Sequence, residues 1–187
     1  MLVVISMLIV IPAYNPDYHL IKTLESIKSK LSSKILIVND GSDKSKDEIF
    51  KEAKQYAIII KHDVNKGKGR AMKTALEYVE KKYPKEDGVI FVDADGQHKT
   101  KDIKKVIEAF EKNKKSLILG VRVFDREDVP WKSKLGNKIT RFVFKIFTSK
   151  YISDTQTGLR AISTEYIPFL LKINGERYDY EMNMLID

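Results

Sequence analysis

The sequence has 187 residues, with 34 lysines and arginines against 26 acidic residues, hence a formal net charge of +8. At 43% apolar and 32% charged it has a globular composition, long enough for one domain with a sizeable core, which excludes a disordered chain. It contains no cysteine, which excludes disulfides, thiolate catalysis, zinc–cysteine sites and iron–sulfur clusters, and is compatible with a reducing compartment.

The chain opens on an apolar stretch, Met1 to Pro12, interrupted by Ser6. It is shorter than the roughly 20 residues of a membrane span and lacks the basic start and small-residue cleavage site of a signal peptide. Leu8 to Ile11 reads as a buried strand, followed by the loop Pro12-Ala13-Tyr14-Asn15. Leu20, Leu24, Ile27 and Leu31 then recur at helical spacing. A second strand, Ile35 to Val38, ends in Asn39-Asp40-Gly41-Ser42, and Ser45 with Glu48 has the spacing of a capping box opening the next helix.

A third buried strand, Ala57 to Ile60, precedes Asn65-Lys66-Gly67-Lys68-Gly69-Arg70. Glycines there permit close backbone approach. The cations suit an anion at the start of the helix carried by Met72, Leu76 and Val79. The spacing fits neither a Walker A loop nor a dinucleotide fingerprint, and a plain glycine turn with exposed lysines is the alternative. Val89 to Val92 forms a fourth strand and ends in Asp93-Ala94-Asp95-Gly96-Gln97-His98. Two carboxylates where the chain leaves a buried strand can share a hard cation with a diphosphate. Mg²⁺ and Mn²⁺ take one or two carboxylates, with phosphate oxygens and water completing the shell. Ile103, Ile107 and Phe110 mark a further helix, and Leu117 to Val121 a fifth strand.

Beyond it, Leu135, Ile139, Phe142 and Ile146 have helical spacing. Asp154-Thr155-Gln156-Thr157-Gly158 is a polar turn in which Asp154 is either a general base or a backbone cap. A short strand, Leu159 to Ser163, and a helix around Tyr166 to Leu171, with Pro168 near its start, come next. The chain stops at Asp187 within an apolar pattern of Met182, Leu185 and Ile186. That pattern predicts a single domain, residues 1–187, truncated at its C-terminus.

Apolar strands alternating with helices predict an α/β fold with a mostly parallel sheet covered on both faces. Right-handed crossovers bring the three polar loops after the first, second and fourth strands to one carboxyl edge, where such sheets bind ligands. The histidines add little: His19 and His62 have no catalytic spacing, and His98 merely adjoins Gln97. Lysines at helical spacing with glutamate read as solvated faces. The basic balance permits an anionic partner, whereas aromatics at core spacing argue against nucleic acid.

Taken in order, Ile11-Pro12-Ala13-Tyr14-Asn15, Val38-Asn39-Asp40-Gly41-Ser42, Asn65-Lys66-Gly67-Lys68-Gly69 and Asp93-Ala94-Asp95-Gly96-Gln97-His98 resemble the family 2 glycosyltransferases of GT-A fold. Gly120-Val121-Arg122, Gly136-Asn137 and Asp154-Thr155-Gln156-Thr157-Gly158-Leu159-Arg160 continue the match, which covers nearly the whole chain. The aspartate-rich and threonine-rich segments resemble most the branch of dolichyl- and polyprenyl-phosphate sugar synthases.

The resemblance implies an inverting transfer from a UDP- or GDP-sugar to a lipid phosphate. Residues 1–121 would bind the nucleotide-sugar, and 122–187 would form the acceptor half. It places Pro12, Ala13 and Tyr14 in the nucleotide pocket, Asp40 on the base with Lys66 beside it, and Asp93 at ribose or metal. Asp95 and Gln97 would hold Mg²⁺ or Mn²⁺ on the diphosphate, and Arg122 would meet phosphate charge. Asp154 would act as base or orient the acceptor, with Asp179 and Glu181 as alternatives. Basic residues such as Arg126, Lys132, Lys134 and Arg141 suit an anionic acceptor at a membrane surface, which implies a cytoplasmic protein peripheral to the membrane. A cell-envelope glycan acceptor, or a non-catalytic nucleotide-binding module, is the competing expectation.

Overall fold

Seven consecutive buried residues make β1 (Met7–Ala13) a strand covered on both faces, as a parallel sheet requires. The computed structural model describes residues 6–121 and 157–186 and places β1 at the centre of a six-stranded sheet. The other strands are β2 (Lys34–Asn39), β3 (Ile58–Lys61), β4 (Gly88–Phe91), β5 (Ile118–Leu119) and β6 (Arg160–Ser163), in the order β3-β2-β1-β4-β6-β5. β1 pairs parallel with β2 and β4, and β2 pairs parallel with β3. β6 is antiparallel to both β4 and β5. The sheet is therefore mixed at one side and parallel elsewhere, the GT-A arrangement expected.

Alternate residues of each strand feed opposite layers. Ile9 and Ile11 pack with Ile37, Ile90 and Ala161 beneath α1 (His19–Lys30), α2 (Asp47–Ala53) and α4 (Thr100–Lys112), through Leu24, Phe50 and Phe110. Leu8 and Val10 pack with Leu36, Val89, Phe91 and Ile162 on the other face. There α3 (Lys68–Lys82), α5 (Ile167–Leu170) and α6 (Tyr178–Ile186) contribute Met72, Leu76, Leu170 and Tyr180. Pro168 sits in the first turn of α5, where its missing N–H costs nothing.

Two details correct the sequence expectation. The third and fifth strands are half-buried instead of buried, because β3 and β5 are the two edges of the sheet. Ser45 and Glu48 form no capping box. Ser45 lies inside a 3₁₀ turn, Lys44–Lys46, and α2 starts only at Asp47, with no side-chain cap. Asp47 and Glu48 instead place negative charge in the first turn, against the helix dipole. The expected helix at Leu135–Ile146 and the residues Arg122 and Asp154 lie outside the described residues.

Candidate functional site

The chain runs from β1 outward to β2 and β3, then returns to place β4 on the other side of β1. Strand order reverses there, and the carboxyl ends of β1, β2 and β4 open onto a cavity of about 1010 Å³. The β1 and β2 loops are tied together. Asn15, at φ 48, receives a hydrogen bond on its side-chain oxygen from the Asp43 N–H at 2.8 Å and donates its amide to the Asp43 carboxylate at 2.8 Å. Its own N–H donates to Ser42 Oγ at 2.9 Å. Tyr14, half-exposed, flanks the cavity between them.

Asp40 is only 2% exposed, yet it borders the cavity. Its Oδ1 accepts from the Lys66 N–H at 2.9 Å, and its Oδ2 accepts from the Gly67 N–H at 2.8 Å. Next to it, Gly41 adopts φ +68, and a Cβ there would run into the Val64–Asn65 backbone. The glycine-rich turn thus folds over the β2 loop, because Asp40 collects its N–H groups. α3 then begins at the cavity wall. Lys66 is exposed and contributes its backbone N–H to Asp40, while the Lys68 side chain points into the cavity.

Lys68 Nζ bridges Asp93 Oδ1 at 2.7 Å and Glu181 Oε2 at 2.9 Å. Burial alone would lower its pKa, but the two carboxylates outweigh burial and raise it. Burial likewise opposes ionisation of Asp93. The hydrogen bond from His98 Nε2, at 3.3 Å, and the Lys68 charge overcome it and hold Asp93 well below the usual carboxylate range. Glu181 is tied on its far side to Arg160, 1% exposed, with Nη2 3.2 Å from Oε1. Arg160 also donates to the carbonyls of Thr157 at 2.6 Å and Glu181 at 3.0 Å. Charges alternate along this row from the end of β4 through α3 to α6 and β6. Gly158 closes it from below, since a Cβ there would occupy the Asp93 carboxylate.

Asp95 and Gln97 lie exposed at the mouth, with Asp95 Oδ1 accepting the Gln97 N–H at 3.0 Å. No cluster of three acidic or histidine side chains able to cage a metal occurs among the described residues. An exposed carboxylate and amide beside a large cavity fit a hard divalent ion that takes most of its shell from water and phosphate. The charge inventory points the same way. Among the described residues lining the cavity, five carboxylates (Asp17, Asp40, Asp93, Asp95 and Glu181) face three cations (Lys68, Arg160 and Arg177). A naked diphosphate would meet net repulsion there, whereas one carrying a divalent cation would not.

The structure therefore gathers Pro12, Ala13, Tyr14, Asp40, Asp93, Asp95 and Gln97 around one cavity, with Lys66 at its backbone edge. Glu181 lines it too; Asp179 is not among the lining residues and receives the Arg177 N–H at 2.8 Å. Sequence reasoning passed over Lys68, Arg160, His98 and His62 as individuals. Arg160, Lys68 and His98 stood inside quoted motifs, His98 in the same segment as its partner Asp93, and that was the only available signal; His62 finds Asp40 and Thr74 through the fold alone.

The model of the family described as "Glycosyl transferase family 2" matches residues 8–170. The chain is 30% identical to the UDP-N-acetylglucosamine–dolichyl-phosphate N-acetylglucosaminyltransferase of Methanococcus voltae, over 91% of this chain and 75% of that protein. It is also 30% identical to the dolichyl-phosphate beta-glucosyltransferase of Saccharomyces cerevisiae, over 95% of this chain and 61% of that one. Among solved structures it superposes on glucosyl-3-phosphoglycerate synthase from Mycobacterium tuberculosis, in complex with Mn²⁺, UDP-glucose and phosphoglyceric acid. The TM-score is 0.71 at 18% identity, covering 96% of this chain and 63% of that chain.

Proposed function

This chain belongs to glycosyl transferase family 2, and from that premise we propose that it transfers a sugar from a nucleoside-diphosphate donor to a polyprenyl- or dolichyl-type lipid phosphate. The observation that carries the reading is the cavity at the ends of β1, β2 and β4, lined by an excess of carboxylates with Asp95 and Gln97 at its mouth. Such a cavity suits a diphosphate that arrives with a divalent cation.

Asp40 would read the base from the floor, Pro12, Ala13 and Tyr14 would line its pocket, and Asp93 would face the ribose. Mg²⁺ or Mn²⁺, held by Asp95 and Gln97, would supply charge neutralisation to the departing diphosphate. Lys68, held between Asp93 and Glu181, keeps a fixed positive charge beside the phosphate path. The lipid phosphate is already anionic at neutral pH, so it attacks the sugar's anomeric carbon without first losing a proton. The bond from that carbon to the diphosphate breaks as the new one forms, inverting the centre. Asp154 and Arg122 are assigned to the acceptor side, Asp154 orienting the phosphate and Arg122 balancing its charge. Among the described residues no helix is long and apolar enough to cross a membrane, and the lipid would be met at the membrane surface.

The test is incubation with labelled UDP- and GDP-sugars, Mn²⁺ and a polyprenyl phosphate in detergent, followed by organic extraction. Label in the lipid phase, lost in Asp95→Asn, is the expected result. Nucleotide binding without lipid labelling, while a cell-envelope glycan becomes labelled, would move the acceptor assignment to that glycan.

A further inference from the structure

His62 follows β3 with a side chain 7% exposed, and it has no part in the transfer described above. Its Nδ1 lies 2.7 Å from Asp40 Oδ1 and its Nε2 lies 3.0 Å from Thr74 Oγ1 on α3. An ionised carboxylate only accepts, so Nδ1 carries the proton; in the neutral ring the Thr74 hydroxyl donates to Nε2. The ring is thereby held in one tautomer and one orientation, and its N–H is spent on Asp40.

That bond changes how many acceptors Asp40 has left. Each carboxylate oxygen offers two lone pairs. Oδ1 receives His62 Nδ1–H and the Lys66 N–H and is full; Oδ2 receives the Gly67 N–H and keeps one lone pair. Guanine presents two adjacent donors, its N1–H and its amino group, which a carboxylate meets with both oxygens. Uracil presents one N–H between two carbonyls. A carboxylate with a single vacant acceptor matches uracil and leaves one guanine donor unpaired in a buried place.

Resting on the reading of the cavity as a nucleoside-diphosphate site, we propose that His62 is a positioning residue that sets donor-base specificity: by filling Asp40 Oδ1 it selects a uridine diphosphate donor over a guanosine one. An unpaired buried donor corresponds to a discrimination of about tenfold or more.

The experiment is calorimetric titration of UDP and GDP, both with Mn²⁺, into wild type, His62→Phe and His62→Asn. Wild type is expected to bind UDP at least about tenfold more tightly than GDP. His62→Phe keeps a ring of similar shape but vacates Oδ1, so the UDP-to-GDP affinity ratio falls toward one. His62→Asn offers an amide N–H near the place of Nδ1–H and restores the ratio. A purely structural His62 would weaken both nucleotides together and leave the ratio unchanged, which overturns the proposal. Wild type binding GDP as tightly as UDP overturns it as well, while leaving the cavity reading intact. If neither nucleotide binds, the cavity reading fails and the base assignment with it. Should His62→Phe not fold, nitrogen NMR of wild-type His62 decides: an Nδ1–H signal supports the assignment, and a neutral ring protonated only at Nε2 overturns it.

Discussion

Asp40 shows how one side chain can hold two loops. Replacing it by Asn leaves the Lys66, Gly67 and His62 donors facing an amide that can accept on one side only. At least one buried N–H is then orphaned. Asp40→Asn should lower stability by roughly 1–3 kcal/mol in denaturant unfolding and abolish donor binding. Gly158→Ala is the second test at this scale. Its Cβ displaces the Asp93 carboxylate from Lys68 and His98, so nucleotide affinity should fall by about tenfold or more with secondary structure unchanged by circular dichroism. The residue scale is also where sequence reasoning reached least. Asp93-x-Asp95 was legible because both carboxylates stand in one turn. The pairing of His62 with Asp40, and the bridging by Lys68 of Asp93 and Glu181, join residues far apart in the chain, and no local spacing encodes them.

At the scale of elements, the lower wall of the cavity depends on how the segment before α6 docks on α3. Arg70 holds Glu176 through two guanidinium bonds, at 2.5 and 2.8 Å, and donates its backbone N–H to the Glu176 carbonyl at 2.8 Å. Lys73 adds a contact to the same carboxylate at 3.3 Å and lies over the Tyr180 ring, 5.0 Å from its centroid. The Arg70 hydrogen bond draws the Glu176 pKa down to about 2 from 4.5. A depressed carboxylate stabilises the fold fully above its unfolded value, and that contribution is lost as pH falls from 4.5 toward 2. Protection from hydrogen exchange across residues 174–182, relative to the intrinsic rate at each pH, should therefore fall between about pH 4.5 and about pH 2 in wild type. In Glu176→Gln it should already be low at neutral pH. Equal protection in both proteins would remove the ion pair from the account. Helix and strand positions themselves were legible, since Leu20, Leu24 and Ile27, and Met72, Leu76 and Val79, all prove buried as their spacing demands. The 3₁₀ turn in front of α2 was not, because Ser45 and Glu48 match a capping pattern that the chain's entry path overrides.

The whole molecule combines a basic chain with a carboxylate-rich cavity. Overall charge did not foretell the site, since the lysines lie mainly on exposed helix faces while the acidic loops converge on one edge. Convergence was legible from topology alone: parallel strands joined by right-handed crossovers bring the ends of β1, β2 and β4 together whatever their side chains. The strand β6 was legible as Leu159 to Ser163, but its antiparallel place beside β4 was not, although it supplies Arg160 and, through the preceding Gly158, the floor beneath Asp93. The balance inside the cavity rests on Lys68. Lys68→Met would leave Asp93 and Glu181 without their shared cation, costing roughly 1–3 kcal/mol of stability and making diphosphate binding still more dependent on metal.

If, as proposed, the cavity takes a nucleoside diphosphate only together with a divalent cation, calorimetric titration of UDP with and without Mn²⁺ will show it. Binding that requires Mn²⁺ and disappears in Asp95→Asn is the predicted result. UDP binding of equal strength without metal, or undiminished in Asp95→Asn, would contradict it.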